Sequence, residues 1–385
     1  MNRERLVQLA QRMLDLIDRG ATDLAPSTYE EPLEAYTSPD ILAHERLALF
    51  TRTPMFLAMS SELPGPNTYL ARDIVDNPLL LVRGADGAVR MFLNFCRHRG
   101  TKVADGSGNA RRLTCPFHGW SYNLEGQLVG VPASEGFDDM CREERGLVEL
   151  PVAEKYGMIF GCATPNVTVD IDDLLGGLGP ELAEWGFEGF SRFGEPHAHP
   201  VTGSWKFAWD TFCENYHFPV LHSTTVADMI YGNRQAFDVY GRNVRMVSGL
   251  RSIDELRSAP ESLWEPERHL SIQYRLFPSI NFSVYPEKTE VFWVLPGQNP
   301  WEGQALHATY VAREPETDEE LKALEEAVYF GCEMIINRED LWVTARSLPG
   351  FRAEAAPRSV IFGRNEPAVQ HFHRLYRAAT DGSPI

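Results

Sequence analysis

The chain has 385 residues, with 36 Lys and Arg against 54 Asp and Glu, so its formal charge is −18. Hydrophobic residues make up 43% and charged residues 23%, which excludes a disordered chain and suits two folded domains better than one. The negative surplus argues against sequence-independent nucleic-acid binding and against docking on an anionic membrane, and no apolar run approaches the length of a transmembrane helix.

The first element is an amphipathic helix carrying Leu6, Leu9, Met13, Leu14 and Ile17, with Gly20 as its stop. It lacks the apolar run of a signal peptide, and six cysteines are too few for a disulfide scaffold; both features point to a reducing cytoplasm. Residues 22–40, rich in Pro and acid, read as an extended arm, so that 1–40 forms a helix and arm lying on the second domain. From about Met55 to Pro165, apolar runs such as Leu79–Val82, Val89–Leu93 and Met158–Phe160 alternate with turn signals such as Asp86-Gly87 and Glu125-Gly126. This predicts a small all-β domain over 41–165. In the remainder, 166–385, Asp172–Trp185 and Trp205–His222 read as partly helical. Strands are expected at Ser271–Phe277, Asn281–Tyr285, Glu290–Leu295 and Ala305–Ala312. A long helix capped by Thr317 runs to Ala345, with Leu321, Leu324, Val328 and Ile335 as its apolar stripe. Strands followed by a long helix make this domain, and the chain as a whole, α+β.

Two constellations carry chemistry. The first is Cys96-Arg97-His98, sixteen residues, then Cys115-Pro116-Phe117-His118. Two thiolates and two imidazoles can bind one zinc, or hold a two-iron, two-sulfide cluster with both sulfur ligands on one iron and both nitrogens on the other. Each half offers one Cys and one His, which suits two bridged metals better than one. The second constellation lies in Asp210-Thr211-Phe212-Cys213-Glu214-Asn215-Tyr216-His217-Phe218-Pro219-Val220-Leu221-His222. Two imidazoles plus a carboxylate describe the facial triad of non-haem iron enzymes. On a straight helix His217 and His222 would stand about 140° apart, so the helix must break between them, and Pro219 lies in that gap. Glu214 and His217, three apart, would share a helical face.

Cys-x-His, this spacer, then Cys-Pro-x-His-Gly-Trp resembles the Rieske motif of the ring-hydroxylating oxygenases, as does the continuation Ser121 to Leu128. Glu-x-x-His-x4-His resembles the mononuclear iron motif of the same family. The resemblance implies that Cys96 and Cys115 hold the buried iron, and His98 and His118 the outer one. It implies that His217 and His222 bind the mononuclear Fe(II), with Glu214 coupling the two centres. Asp340, in the pair Glu339-Asp340, matches the family's third ligand, and Glu339 is the fallback. Asp210 is a further carboxylate, able to orient His217 or relay protons. The implied fold is a Rieske β-sandwich followed by a catalytic domain of antiparallel sheet and helices, of the helix-grip, START-like kind.

The implied activity is that of a terminal oxygenase, which uses O2 and NAD(P)H-derived electrons to hydroxylate a hydrophobic, aromatic substrate. A separate reductase, directly or through a ferredoxin, would deliver them, because the chain shows no Gly-x-Gly-x-x-Gly after a strand. Family members form trimers, which a small β subunit can join. A monooxygenase or O-/N-demethylase acting on one carbon shares every ligand; a non-catalytic Rieske electron carrier would lack the second iron. Phe207, Phe212, Ile230, Phe282 and Phe292 are candidates for an apolar pocket. Cys141, Cys162, Cys213 and Cys332 read as buried apolar thiols, and His197, His199, His371 and His373 as structural.

Overall fold

The Asn2 side chain accepts a hydrogen bond from the Arg5 backbone and opens a helix over Arg3–Asp18. Its buried stripe (Leu6, Val7, Leu9, Ala10, Met13, Leu14 and Leu16) packs on two sheet strands, Ile230–Tyr240 and Asn243–Leu250. Gly20, at φ 61, follows its end. Residues 22–40 are more ordered than an arm. Tyr29–Pro32 pairs antiparallel with Ser359–Phe362, and helices Glu34–Thr37 and Pro39–Phe50 follow. The partner strand lies some 330 residues away in the chain, beyond the reach of a local reading.

The computed structural model describes residues 1–383 and clusters into two units. One comprises Leu47–Leu174 with Phe187–Gly189; the other comprises Met1–Arg46, Leu175–Gly186 and Phe190 onward. The cut falls inside the helix Pro39–Phe50.

The first unit is built of small antiparallel sheets. In spatial order, one holds Glu149–Leu150, Val89–Leu93, Asn77–Arg83, Thr68–Ile74 and Ser107–Asn109; another holds Val152–Lys155, Met158–Gly161 and Met55–Met59. A third, of two- and three-residue strands, is made by Leu113–Thr114, Ser121–Tyr122 and Leu128–Gly130. Leu80, Val82, Phe92, Trp120, Tyr122 and Leu124 form a core that also encloses Cys96 and Cys115.

The second unit centres on a seven-stranded antiparallel sheet. Its spatial order is Ser191–Thr202, Glu302–Val311, Lys288–Pro296, Ile280–Val284, Leu270–Leu276, Asn243–Leu250 and Ile230–Tyr240. Strand periodicity sends alternate residues to opposite faces. Leu270, Ile272, Tyr274 and Leu276 therefore share one face with Ile280, Phe282 and Val284, and with Val291 and Trp293. Ser271, Gln273 and Arg275 share the other with Asn281, Ser283, Glu290 and Phe292, and these are buried too except Gln273, which is partly so.

The long C-terminal helix is not uniform. Thr317 caps Asp318–Tyr329, accepting from the Glu320 backbone; Phe330–Asp340 then widens to π geometry, and an α-helix resumes over Leu341–Arg352. Of the expected stripe only Val328 is buried, and Leu321 is exposed. π segments recur at functional sites, and this one carries Glu339 and Asp340.

Candidate metal centres

In the first unit the two Cys-His segments form matching turns. Cys96 accepts at its carbonyl from the Gly100 N–H at 2.9 Å, and Cys115 from the Gly119 N–H at 3.0 Å. Cys96 and Cys115 donate in turn to the carbonyls of Thr101 and Trp120, both at 2.8 Å. Each turn needs a left-handed residue four positions after its cysteine, supplied by Gly100 (φ 78) and Gly119 (φ 74). Both cysteines are buried, whereas His118 is exposed and His98 half-buried. The two imidazoles lie 4.8 Å apart between centroids, and His98 stacks flat on Trp120. Soft donors inside and nitrogen donors at the surface suit the two irons of a cluster ligated differently at each end. The hydroxyl of Tyr122, which the sequence did not single out, hydrogen-bonds with Cys96 Sγ at 3.3 Å and accepts from the Arg97 N–H at 3.0 Å; with Cys96 as a thiolate ligand the hydroxyl is the donor.

In the second unit the helix Trp205–Phe212 ends before Glu214, and the short helix Phe218–Leu221 restarts just after His217. The break thus precedes both histidines, and Pro219 sits in the first turn of the new helix, where a missing N–H does no harm. The connecting loop is anchored by buried Asn215, whose backbone donates to Gln235 Oε1 and whose side chain donates to Ser248 Oγ at 3.1 Å. Glu214 and His217 do not share a helical face. Instead the Glu214 carboxylate closes the loop, accepting from the backbone N–H groups of Tyr216 and His217 while also binding His217 Nδ1.

His217 Nε2 and His222 Nε2 stand 3.1 Å apart, and Asp340 Oδ1 lies 3.4 Å from the first and 3.3 Å from the second. These three atoms are the one set of donors among the described residues grouped tightly enough to hold an ion. His222 Nδ1 is bound by Glu339 Oε2 at 2.7 Å, and that oxygen also accepts from Thr225 Oγ1. Each imidazole is thus tied through Nδ1 to a carboxylate, which directs its Nε2 lone pair to a common point. Asp340 Oδ1 is buried there without a hydrogen-bond donor. Burial opposes a charged His217, but the carboxylates of Asp340 and Glu214 outweigh it and lift its pKa to about 10. Such a spot favours positive charge, and one divalent iron ligated by two nitrogens and one oxygen fits it. Glu339 is therefore an outer support of His222, with Asp340 at the centre.

Asp210 is buried and does not orient His217. Tyr36 donates its hydroxyl to Asp210 Oδ2 at 2.7 Å, and His373 Nε2 lies 3.0 Å from Oδ1. Burial disfavours the His373 imidazolium, yet Asp210 and Glu31 raise its pKa. Nearby, Lys206 and Glu45 form a buried ion pair. The partners Tyr36 and His373 come from opposite ends of the chain, and nothing local in the sequence signals them.

A cavity of about 120 Å³ adjoins the triad, bordered by His222 and Asp340. Phe212, Phe218, Val226, Ile230, Phe292 and Ile336 supply apolar lining, Glu214 borders it as well, and Ser271, Gln273, Arg275, Asn281, Ser283 and Glu290 make the sheet face polar around Phe292. Of the apolar candidates, Phe212, Ile230 and Phe292 line it. Phe282 lies on the opposite sheet face, and Phe207 packs on Tyr36 and Phe351. Cys141 is exposed, contrary to expectation, while Cys162, Cys213 and Cys332 are buried, and all six thiols are free. His197 is exposed, and His199 contacts Cys332. No helix among the described residues is long and apolar enough to cross a membrane.

Two family models match the chain, one over each part of it. The model of the Rieske [2Fe-2S] domain matches residues 53–149, and that of the ring hydroxylating alpha subunit (catalytic domain) matches residues 187–382. The carnitine monooxygenase oxygenase subunit of Acinetobacter baumannii is 28% identical over 257 residues, 66% of this chain and 68% of that protein. The large oxygenase component of the 2,4-dinitrotoluene dioxygenase system of Burkholderia sp. is 34% identical over 194 residues, 49% of this chain and 42% of its own. Among solved structures, a quaternary ammonium Rieske monooxygenase in complex with L-carnitine superposes with a TM-score of 0.78 at 22% identity, covering 93% of this chain and 96% of that one. Naphthalene 1,2-dioxygenase from Rhodococcus sp. gives 0.73 at 20% identity, covering 99% of each.

Proposed function

Because the chain belongs to the family of Rieske ring-hydroxylating oxygenase alpha subunits, we propose that it oxidises a single carbon of its substrate, as a monooxygenase or demethylase. The family is that of oxygen-incorporating oxidoreductases with a Rieske cluster and a mononuclear iron, acting as the oxygenase component of a system in which a reductase draws electrons from NAD(P)H. The observation that carries the reading is the convergence of His217 Nε2, His222 Nε2 and Asp340 Oδ1 beside a cavity. Three protein ligands leave coordination positions open, which a catalytic site needs and an electron carrier does not.

In this reading Cys96, His98, Cys115 and His118 hold the cluster, and His217, His222 and Asp340 hold the iron. Bound there, the cluster supplies electrons and the ferrous ion supplies O2 activation. The protein's own contribution is positional. Glu214 and Glu339 fix the tautomers of His217 and His222 by holding a proton at each Nδ1. Tyr122 steadies Cys96. Phe212, Phe292 and Ile336 exclude water from the space beside the triad. Glu214 couples the two kinds of centre between neighbouring subunits of a homotrimer, and a ferredoxin or reductase docks from solution. Six cysteines outside any disulfide suit the cytoplasm. Single-carbon oxidation is favoured over dihydroxylation of an aromatic ring by the likeness to carnitine monooxygenase and by the polar side of the cavity. The likeness to dinitrotoluene and naphthalene dioxygenases supports the aromatic reading as the second.

Iron analysis tests the assignment: about three irons per chain are expected, falling to about two, with the half-reduced cluster signal unchanged, in Asp340→Asn. With ¹⁸O2, one labelled atom in the product supports monooxygenation, and two would establish dihydroxylation.

A further inference from the structure

The sheet side of the cavity carries a cation without a counter-ion. Arg275 is 3% exposed. Other buried cations of this unit are paired: Lys206 with Glu45, and Arg245 with Glu181 and Asp238. Among the described residues Arg275 meets no carboxylate within ion-pair distance. Its guanidinium donates to the Phe212 carbonyl, to Asn281 Oδ1 and to Gln273 Oε1, and it lies beside the Cys213 thiol. Burial keeps that thiol well above its usual pKa, hence neutral. Asp340 acts on Arg275 only at longer range and faces the two imidazoles. The neighbouring acid, Glu290, is already matched by Lys288 at 2.6 Å.

The hydrogen-bonding inventory has the same sign. Asn281 Oδ1 and Gln273 Oε1 both accept from Arg275, so the wall's amide acceptors are directed at its own cation. The donors remain. A guanidinium has five N–H groups, and three go to the oxygens named. Ser283 Oγ accepts from Asn281 Nδ2, which leaves its hydroxyl proton to give. The Gln273 amide N–H groups are also unused by these bonds. A buried guanidinium with no carboxylate partner, set among further N–H and O–H donors, recognises an acceptor-rich, negative group.

We propose that this wall is a carboxylate subsite, in which Arg275, aided by Ser283 and Gln273, holds the acid group of a compact organic acid. The inference rests on the oxygenase reading and names its substrate class. The body of the acid lies against Phe212, Phe292 and Ile336, toward His222 and Asp340. A cavity of about 120 Å³ matches a body the size of one benzene ring. Arg275 is a specificity-determining residue here, and its bond to the end of the helix Trp205–Phe212 also positions that helix.

Calorimetric titration of the iron-loaded protein with benzoate and with its neutral isostere benzamide tests the proposal. Benzoate is expected to bind about tenfold or more tightly than benzamide. Asn281→Asp, an isosteric change, gives Arg275 an internal counter-ion; it should keep the wild-type melting temperature and iron content and erase the preference. Arg275→Gln should erase it as well, but that variant also removes the helix contact, so Asn281→Asp carries the decision. Equal binding of the two probes, a preference that survives Asn281→Asp, or no benzoate binding at millimolar concentration overturns the subsite. The oxygenase reading fails separately, through the iron count. Protein with only two irons that still prefers benzoate keeps the subsite, whereas protein with three irons and no preference refutes it.

Discussion

Tyr122→Phe isolates one interaction at the cluster. The substitution removes a single oxygen from a fully buried side chain and leaves the ring in the core with Phe92, Trp120 and Leu124. Two bonds go with that oxygen: O–H to Cys96 Sγ at 3.3 Å, and the Arg97 N–H to the hydroxyl at 3.0 Å. A hydrogen bond to a charged acceptor contributes about 1.5–3 kcal/mol. Reduction adds one negative charge to the cluster, so the bond is stronger in the reduced state; if about a third of it is differential, the loss is about 0.5–1 kcal/mol. At about 59 mV per 1.4 kcal/mol for one electron, the midpoint potential should fall by about 20–40 mV. The orphaned Arg97 N–H should also cost about 1–3 kcal/mol of stability. A potentiometric titration followed by the half-reduced cluster's resonance reads the first quantity, and thermal melting reads the second. A potential unchanged or raised in a variant with full cluster content would refute the placement of Cys96 as a cluster ligand supported by Tyr122.

Other perturbations probe the second unit. Glu214→Gln should retain about three irons per chain yet block turnover, measured as product per NAD(P)H; full product formation would remove Glu214 from the coupling. Lys206→Met strands the Glu45 carboxylate and should cost about 3–5 kcal/mol in denaturant unfolding, with most of it recovered on adding Glu45→Leu. An equally destabilised double variant would mean that the pair acts through packing. Burial, assisted by His197 and His199, depresses the pKa of His307 from 6.5 to about 3, so the folded state refuses a proton that the unfolded chain accepts. Its contribution is therefore present above pH 6.5 and is lost as pH falls toward 3, at about 1.4 kcal/mol per pH unit. His307→Leu should flatten the acid limb of the stability profile by about that slope, and an unchanged limb would show that His307 charges freely in the fold.

Features set by short spacings were legible in the sequence. Cys96-x-His98 and Cys115-x-x-His118 specify matching turns because the residues that close each turn lie within five positions. The Glu339-Asp340 pair was legible as a carboxylate source, but not the division of labour, since helix pitch decides which acid faces the imidazoles and that pitch is π here. The break between the histidines was required by geometry, yet its site was misplaced: Pro219 fits a first turn as well as it ends a helix. The polar wall went unread for a physical reason. Ser271, Gln273 and Arg275 alternate with Leu270, Ile272 and Tyr274 as a solvent-facing strand would, and only the tertiary cover makes that polar face interior. The alternation also put Phe282 on the face away from the cavity. The cavity's character was hidden in side chains that ordinarily mark an outside.

The widened helical turns from Phe330 to Asp340 make chain length matter as well as residue identity in that stretch. Deleting one residue there would let ordinary winding return and would swing everything after it by about 100° around the axis, carrying Asp340 away from the imidazoles. Surface loops of this protein can gain or lose a residue and keep their ends in place; this helix, though half-exposed in much of its length, has no such slack.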